Sequence, residues 1–175
     1  MNRSFIAILI FTVTACKEIS FKEPQPKGKR ALSEIPRELR GKYLIAESPG
    51  RSSDTLVVTK NQYYVRGDST RGELSDSLVL KKYNGYYFFN DNESPEWILR
   101  VIKREANGDL SYMSMENDEK SFNTFLIDLN SEIKIDSIEV SGETLYQIDP
   151  SPTQLLSLIK KGYFRKSMLL KRLKD

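Results

Sequence analysis

The feature that most constrains the fold is a series of short runs rich in β-branched and aromatic residues, separated by turn-forming residues. Turn signals recur about every 10 to 14 residues, which is typical of an antiparallel meander of roughly eight to ten strands. The runs occupy residues 56–58, 63–65, 78–80, 86–89, 97–99, 101–102, 122–127 and 133–140. Closing such a sheet removes its exposed edges, so the pattern predicts a mainly β protein built as an antiparallel up-and-down β-barrel.

Two dipeptides give the most specific turn signals. Asn84-Gly85 stands between two apolar runs, and both residue types tolerate the positive φ of a type I′ hairpin turn. Asn107-Gly108 repeats the same pair. Both are therefore predicted to join neighbouring antiparallel strands.

A short helix is predicted near the carboxyl end of the chain. Ser151 can cap a helix, Pro152 suits its first turn, and Gln154 stands three residues after the serine, as in a capping box. Four apolar residues at helical spacing follow, and Gly162 marks the end. This helix is expected to pack against the barrel.

The first sixteen residues form a unit of another kind. Arg3 supplies a positive charge, and Phe5–Val13 is a run of nine mainly apolar residues. A membrane crossing needs about 20 such residues, so the run fits the core of a signal peptide instead. It ends in Val13-Thr14-Ala15-Cys16, which resembles the lipobox of bacterial lipoproteins, with valine in the position usually held by leucine.

The lipobox resemblance implies cleavage between Ala15 and Cys16 and attachment of acyl chains such as palmitate to Cys16. Two or three acyl chains anchor a protein stably, whereas one chain is marginal. The alternatives are an ordinary secretory leader with a chance cysteine, or a buried helix. Lys17 follows the cysteine in place of aspartate, and by analogy with enteric lipoproteins this favours the outer membrane. The expected location is the cell envelope, outside the cytoplasm.

Composition then divides the chain into three parts. Residues 1–15 are the predicted signal peptide. Residues 16–34 carry the lipidated cysteine and, with Pro24, Pro26 and Gly28 and few apolar residues, are predicted to be a flexible tether. Residues 35–175 are the predicted barrel domain with its helix and a basic tail.

A second resemblance arises where this domain begins. Ile35-Pro36-Arg37-Glu38-Leu39-Arg40-Gly41-Lys42-Tyr43 resembles the start of lipocalin-like (calycin-like) barrels, in which a short helical turn precedes a Gly-x-aromatic first strand. Tyr43 stands where lipocalins carry tryptophan. Residues 35–165 also look like small envelope lipoproteins of Gram-negative bacteria. The resemblance supports a barrel and carries over no binding residues.

Charge is distributed unevenly along the chain. The net charge of +3 combines +4 over residues 17–42, −8 over 43–159 and +6 over 160–175. The basic tail is interpreted as a last strand or helix docked on the barrel with solvated lysines; the alternative is a basic amphipathic helix on an anionic membrane surface. Because the body is acidic and the predicted address is outside the cytoplasm, nucleic-acid binding is not expected.

The residues available for chemistry are limited. The chain has no histidine and one cysteine, which excludes imidazole-based triads, intramolecular disulfides and cysteine-cluster metal sites. Asn90–Glu93 and Asn117–Glu119 lack the glycine and distant glutamate of a calcium-binding EF-hand loop and are interpreted as turns. No catalytic residue, cofactor or metal is predicted, and the chain is not expected to be an enzyme.

Three hypotheses for function follow. The first is a lipid-anchored, non-enzymatic barrel that binds a small apolar ligand or serves as an envelope accessory protein. Tyr43, Tyr87 and Trp97 are its candidate cavity residues, although core packing is the favoured role of Trp97. The second is a module that docks an envelope protein partner. The third is a hydrolase of envelope glycans or lipids, for which no pair of acids stands out.

Overall fold

A computed structural model describes residues 18–45, 54–115, 119–140 and 142–174. Twelve β-strands, two α-helices and a 3₁₀ turn at Arg37–Leu39 lie within these residues. The strands are β1 (Ile19–Phe21), β2 (Gly41–Ile45), β3 (Thr55–Val58), β4 (Gln62–Val65), β5 (Arg71–Glu73), β6 (Leu78–Tyr83), β7 (Tyr86–Glu93), β8 (Glu96–Arg104), β9 (Leu110–Ser114), β10 (Asp136–Val140), β11 (Glu143–Ile148) and β12 (Arg165–Arg172). The helices are α1 (Glu119–Glu132) and α2 (Pro152–Lys160).

All twelve strands belong to one sheet. Its main path runs β6-β7-β8-β9-β12-β2-β3-β4-β5, with every neighbouring pair antiparallel. β1 lies beside the first part of β8 and pairs in parallel with β11, which pairs with β10. The prediction of a mainly β fold is confirmed. The predicted closed, purely antiparallel barrel is not what the pairing shows, because the sheet is mixed and no ladder joins β5 to β6 within the described residues.

The two Asn-Gly pairs behave differently. Asn84 (φ 48°) and Gly85 (φ 82°) form the two-residue turn between β6 and β7, as predicted. Asn107-Gly108 lies in a longer loop between β8 and β9, in which only the glycine of the pair has a positive φ. The Glu105 amide donates to the Asp109 carbonyl and closes that loop at 2.9 Å.

Helix α2 is confirmed with its predicted cap, whereas α1 was not predicted. The Ser151 hydroxyl accepts from the Gln154 amide at 3.3 Å, and the Gln154 side chain accepts from the Ser151 amide at 2.9 Å. The run 122–127 was wrongly predicted as a strand. Phe122, Phe125 and Leu129 are buried while Ile127 is 74% exposed, which is helical periodicity that a short apolar run can hide.

Two further predictions are corrected in the second half of the chain. Asn90–Glu93 is the last part of strand β7 and not a turn, while residues 117 and 118 lie outside the described part of the chain. The basic tail forms β12, a strand paired on both sides between β9 and β2. The docked-strand interpretation of residues 165–172 is confirmed, and the alternative amphipathic helix is wrong.

The central strands separate two hydrophobic clusters. Phe88, Leu99 and Val101 point to one face, where they pack with β1, β11, α1 and α2. Tyr87 and Ile102 point to the other face and pack with Tyr43, Leu110 and further residues of β2, β3, β6 and β12. Alternation along β7 and β8 therefore supports a helix-covered core on one face and a second apolar region on the other.

Residues 18–34 are part of the folded domain. Ile19 and Phe21 are almost completely buried in β1, and Gln25 is fully buried. The Lys81 ammonium donates to the carbonyls of Pro24 (2.6 Å) and Pro26 (3.1 Å). The prediction of a flexible tether is therefore corrected for residues 18–34. Although these residues are mostly polar, they are held in place because backbone groups among them form hydrogen bonds with buried side chains of the sheet.

Asn90 fixes this segment to the sheet. Its side chain is fully buried, accepts from the Gln25 amide at 2.6 Å and donates to the carbonyls of Gln25, Val79 and Phe88 at 2.9 to 3.1 Å. Replacing Asn90 with alanine leaves several buried groups without partners, so we expect the free energy of unfolding to fall by about 3 kcal/mol. Urea unfolding would measure this, with the exposed Asn61→Ala as control. A loss equal to that of the control would contradict the assigned role of Asn90.

Candidate ligand cavity

The second face of the sheet surrounds a cavity of about 290 Å³. Because directly paired residues point to the same face, the register Met168–Tyr112–Ile102–Tyr87 marks that face from β12 to β7. Lining side chains come from every strand of the main path except β5, with Thr70 just before it. Most of them are apolar, including Leu56, Val65, Leu78, Ile98, Leu110 and Met168.

The sheet curls until its two sides meet across the cavity. Tyr63 on β4 and Phe89 on β7 are in edge-to-face contact, with ring centroids 6.0 Å apart. Gly72 of β5 stands directly opposite Tyr63, and a Cβ there would lie 2.6 Å from the tyrosine ring. Glycine at this position therefore allows the ring to lie flat over the short edge strand and reach Phe89.

One end of the cavity is closed by the 3₁₀ turn. Leu39 of this turn lines the cavity, and the buried Tyr43 hydroxyl donates to the Leu39 carbonyl at 2.9 Å. The Arg172 guanidinium lies 5.7 Å from the Tyr43 ring centroid and donates to the Arg40 carbonyl at 2.9 Å. Gly41 has a φ of 145°, and a Cβ there would come within 3.3 Å of Arg172. The helical turn expected before Gly41 is thus present and held by the end of β12.

The opposite end forms a polar mouth. Asp91 and Glu93 continue the inward-facing side of β7 beyond Phe89, and Arg100 faces the same space from β8. The terminal nitrogens of Arg100 donate to both carboxylate oxygens of Glu18, with Nη2 and Oε2 2.9 Å apart. Burial first, and then the charge of Asp91, raise the pKa of Tyr63, while Arg100 acts in the opposite direction.

None of the three candidate cavity residues lines the cavity among the described residues. Tyr43 and Tyr87 belong to the cluster around the closed end, where both are buried. Trp97 packs against the helix-covered cluster on the other face, which agrees with the favoured role in core packing. Cys16 and Ala15 lie outside the described part of the chain. The sequence analysis did not identify Asp91 and Arg100 as residues of the mouth. The alternation of inward and outward residues along β7 and β8 could have indicated them, but the run of Asn and Asp residues was interpreted as a turn.

Glu38 gives the closed end a measurable pH dependence. It accepts from the Tyr87 hydroxyl at 2.6 Å and from Lys82 at 3.1 Å, and these bonds, that of Tyr87 foremost, lower its pKa to about 2. A carboxyl whose pKa is lowered by folding stabilises the protein above its ordinary pKa, and this contribution is lost as the pH falls toward 2.

We therefore expect Tyr87→Phe to lower the free energy of unfolding by about 1 kcal/mol near neutral pH, after allowance for the exposure of Glu38. The difference from the unsubstituted chain should shrink as Glu38 is protonated below about pH 4. Urea unfolding at several pH values would measure it. Tyr86→Phe is the matched control, since Tyr86 lies on the other face and is partly buried. A Tyr87→Phe difference that does not change with pH would contradict the role of Glu38.

A second, more open cleft lies between α1 and residues 161–165. It is lined mainly by hydroxyl and charged groups, including Ser121, Thr124 and Asp128. It has two basic lining residues, Lys161 and Arg165, and Lys161 is paired with Glu132 at 2.5 Å. The cleft therefore lacks the apolar enclosure of the cavity.

Within the described residues, no group of three Asp, Glu or Cys side chains could hold a metal ion, and neither helix is long and apolar enough to span a membrane. Comparisons of the chain with protein-family models, curated proteins and solved structures find no match.

Proposed function

We propose that this chain is a lipid-anchored, non-enzymatic protein of the cell envelope that binds a small apolar ligand in the cavity. The observation that carries the proposal is the cavity itself, about 290 Å³ in volume and lined largely by apolar side chains. Ligand pockets in proteins begin at about 300 Å³ and combine apolar walls with a few polar groups. A closely packed core leaves no cavity of this size, since protein interiors contain few voids larger than a water molecule.

The proposal includes a lipocalin-like, barrel-like arrangement of the main sheet. The Tyr63–Phe89 contact brings the two sides of the sheet together without a ladder between β5 and β6. The 3₁₀ turn and Arg172 close one end and leave the other end for ligand entry. A ligand can enter and leave such a cavity through a single open end.

The lipid anchor is the second part of the proposal. Cys16 precedes Glu18 by only two residues in the sequence. Glu18 is bound to Arg100 at the mouth. Acylation of Cys16 would therefore place the mouth close to the bilayer, most simply that of the outer membrane, where apolar ligands are concentrated.

Cys16→Ser tests the anchor. We expect the substituted chain to remain uncleaved and to lack the mass of the acyl chains, because lipid attachment needs the thiol. Intact-protein mass spectrometry of both forms would show this, with Ser4→Ala as a control within the leader. Normal cleavage of the Cys16→Ser chain would contradict lipoprotein processing.

Calorimetric titration with decanol tests the cavity. Residues 17–175 contain every described element and lack the acylated cysteine of the proposal, so this form is suitable. We expect saturable binding of one decanol molecule. Heats no larger than those of dilution, with a chain shown to be folded by circular dichroism, would contradict the proposed binding function.

A further inference from the structure

We propose that the ligand is an amphiphile with a single hydrocarbon chain and a cationic head, and that the head lies against Asp91 and Glu93. The inference rests on the proposed binding function of the cavity and names the class of ligand. It follows from three properties of the cavity: where its walls change from apolar to charged, which charges there are already paired, and how much space it encloses.

The change from apolar to charged wall occurs along a single strand. Phe89, Asp91 and Glu93 alternate along β7 and face the cavity in succession. Asp91 stands in register with Leu78 on one neighbouring strand and Ile98 on the other, both of which line the cavity. The Asp91 carboxylate therefore borders the apolar wall directly, where the head of an inserted amphiphile would emerge.

Among the described residues that line the cavity, the charged groups of the mouth leave a net negative charge once its ion pair is counted. Arg100 is engaged by Glu18 through both guanidinium terminal nitrogens, so these two charges offset each other. Asp91 and Glu93 are exposed, and within the described residues no Lys or Arg side chain forms an ion pair with either. A cationic head would find two carboxylates, whereas an anionic head would have to displace Glu18 from Arg100.

The volume of the cavity limits the ligand to a single hydrocarbon chain. An apolar cavity of about 150 Å³ binds benzene, so one of about 290 Å³ has space for about twice as many carbon atoms. A decyl chain meets this limit, while a lipid with two long chains exceeds it. The apolar part of the ligand is therefore one medium-length chain.

The test compares decylammonium, decanol and decanoate by calorimetric titration of residues 17–175, below the concentration at which each forms micelles. We expect decylammonium to bind about tenfold more tightly than decanoate, with decanol between them, because each exposed ion pair changes affinity by a factor of about two to five. The preference should decrease as salt is added.

Substitution of the acidic residues tests whether the preference for a cationic head arises at the mouth. The double variant Asp91→Asn, Glu93→Gln should lose most of the preference for decylammonium over decanoate. The matched control Glu139→Gln, Glu143→Gln removes two exposed carboxylates on β10 and β11, away from the cavity, and should keep the preference.

The outcomes separate this inference from the function on which it rests. Equal binding of the three probes, tighter binding of decanoate, or a preference that survives the double substitution at the mouth would overturn the cationic head alone. Failure of all three probes to bind a folded chain would overturn the binding function itself.

Discussion

A chain that begins at Ala31 is expected to be less stable than one that begins at Glu18 by more than about 5 kcal/mol. Ile19 and Phe21, both almost completely buried, contribute about 1.5 to 3 kcal/mol each through removal of apolar surface from water. Truncation also removes the Gln25 groups that bond to Asn90 and the carbonyls that accept from Lys81, and each buried group left unpaired costs about 1 to 3 kcal/mol. The total is comparable to the whole stability of many domains.

Urea unfolding followed by circular dichroism would measure the effect on chains of residues 18–175 and 31–175. The longer chain is the control, since it keeps β1 and the hydrogen bonds of Gln25. The shorter chain should be largely unfolded or aggregated without denaturant. A cooperative transition at the same urea concentration in both chains would show that residues 18–30 are a dispensable tether after all.

The second large effect is expected from filling the cavity. Leu56 of β3 lines the cavity and is only partly buried, so Leu56→Trp can place its larger ring in the empty space. Displacing about three methylene groups of a bound chain, at about 0.8 kcal/mol each, should weaken decanol binding about fiftyfold. Calorimetric titration would measure the loss.

The control for Leu56→Trp is Ile127→Trp, which adds the same side chain at a position that is 74% exposed on α1. The control should bind decanol as the unsubstituted chain does, and both variants should remain folded by circular dichroism. Unchanged decanol binding in a folded Leu56→Trp chain would place the ligand somewhere other than this cavity.

Local signals in the sequence predicted local elements well. The Asn84-Gly85 turn and the cap of α2 depend on a few neighbouring residues whose preferred dihedral angles and hydrogen bonds are strong. Helix α1 was missed because Phe122–Ile127 is both apolar and aromatic, and a short run of this kind fits strand and helix alike. Its burial pattern becomes visible only over the longer span to Leu129.

Long-range features could not be read from local patterns. β1 pairs with β11, more than 120 residues away, and the polar composition of residues 18–34 conceals the fact that Asn90 and Lys81 satisfy their backbone groups. The order of the strands in the sheet likewise depends on the position of β12, which lies between β9 and β2. No alternation of residues specifies which strands become neighbours.

The sequence analysis predicted the kind of site, a cavity for an apolar ligand, but not the residues that line it. Tyr43, Tyr87 and Trp97 were chosen for their aromatic character, yet two of them pack at the closed end and one on the opposite face. The faces of β7 and β8 follow from alternation once the strand limits are known. Those limits were obscured at Asn90–Glu93, because its polar residues are typical of a turn, and two of them, Asp91 and Glu93, lie at the mouth.

Native mass spectrometry of the full-length protein, released gently from the cells that produce it, tests the proposed ligand binding most directly. We expect an added mass on the unsubstituted protein that disappears on denaturation and is absent from Leu56→Trp, while Ile127→Trp retains it. The apoprotein mass alone in all three, or an added mass that Leu56→Trp retains, would contradict a ligand-binding role for this cavity.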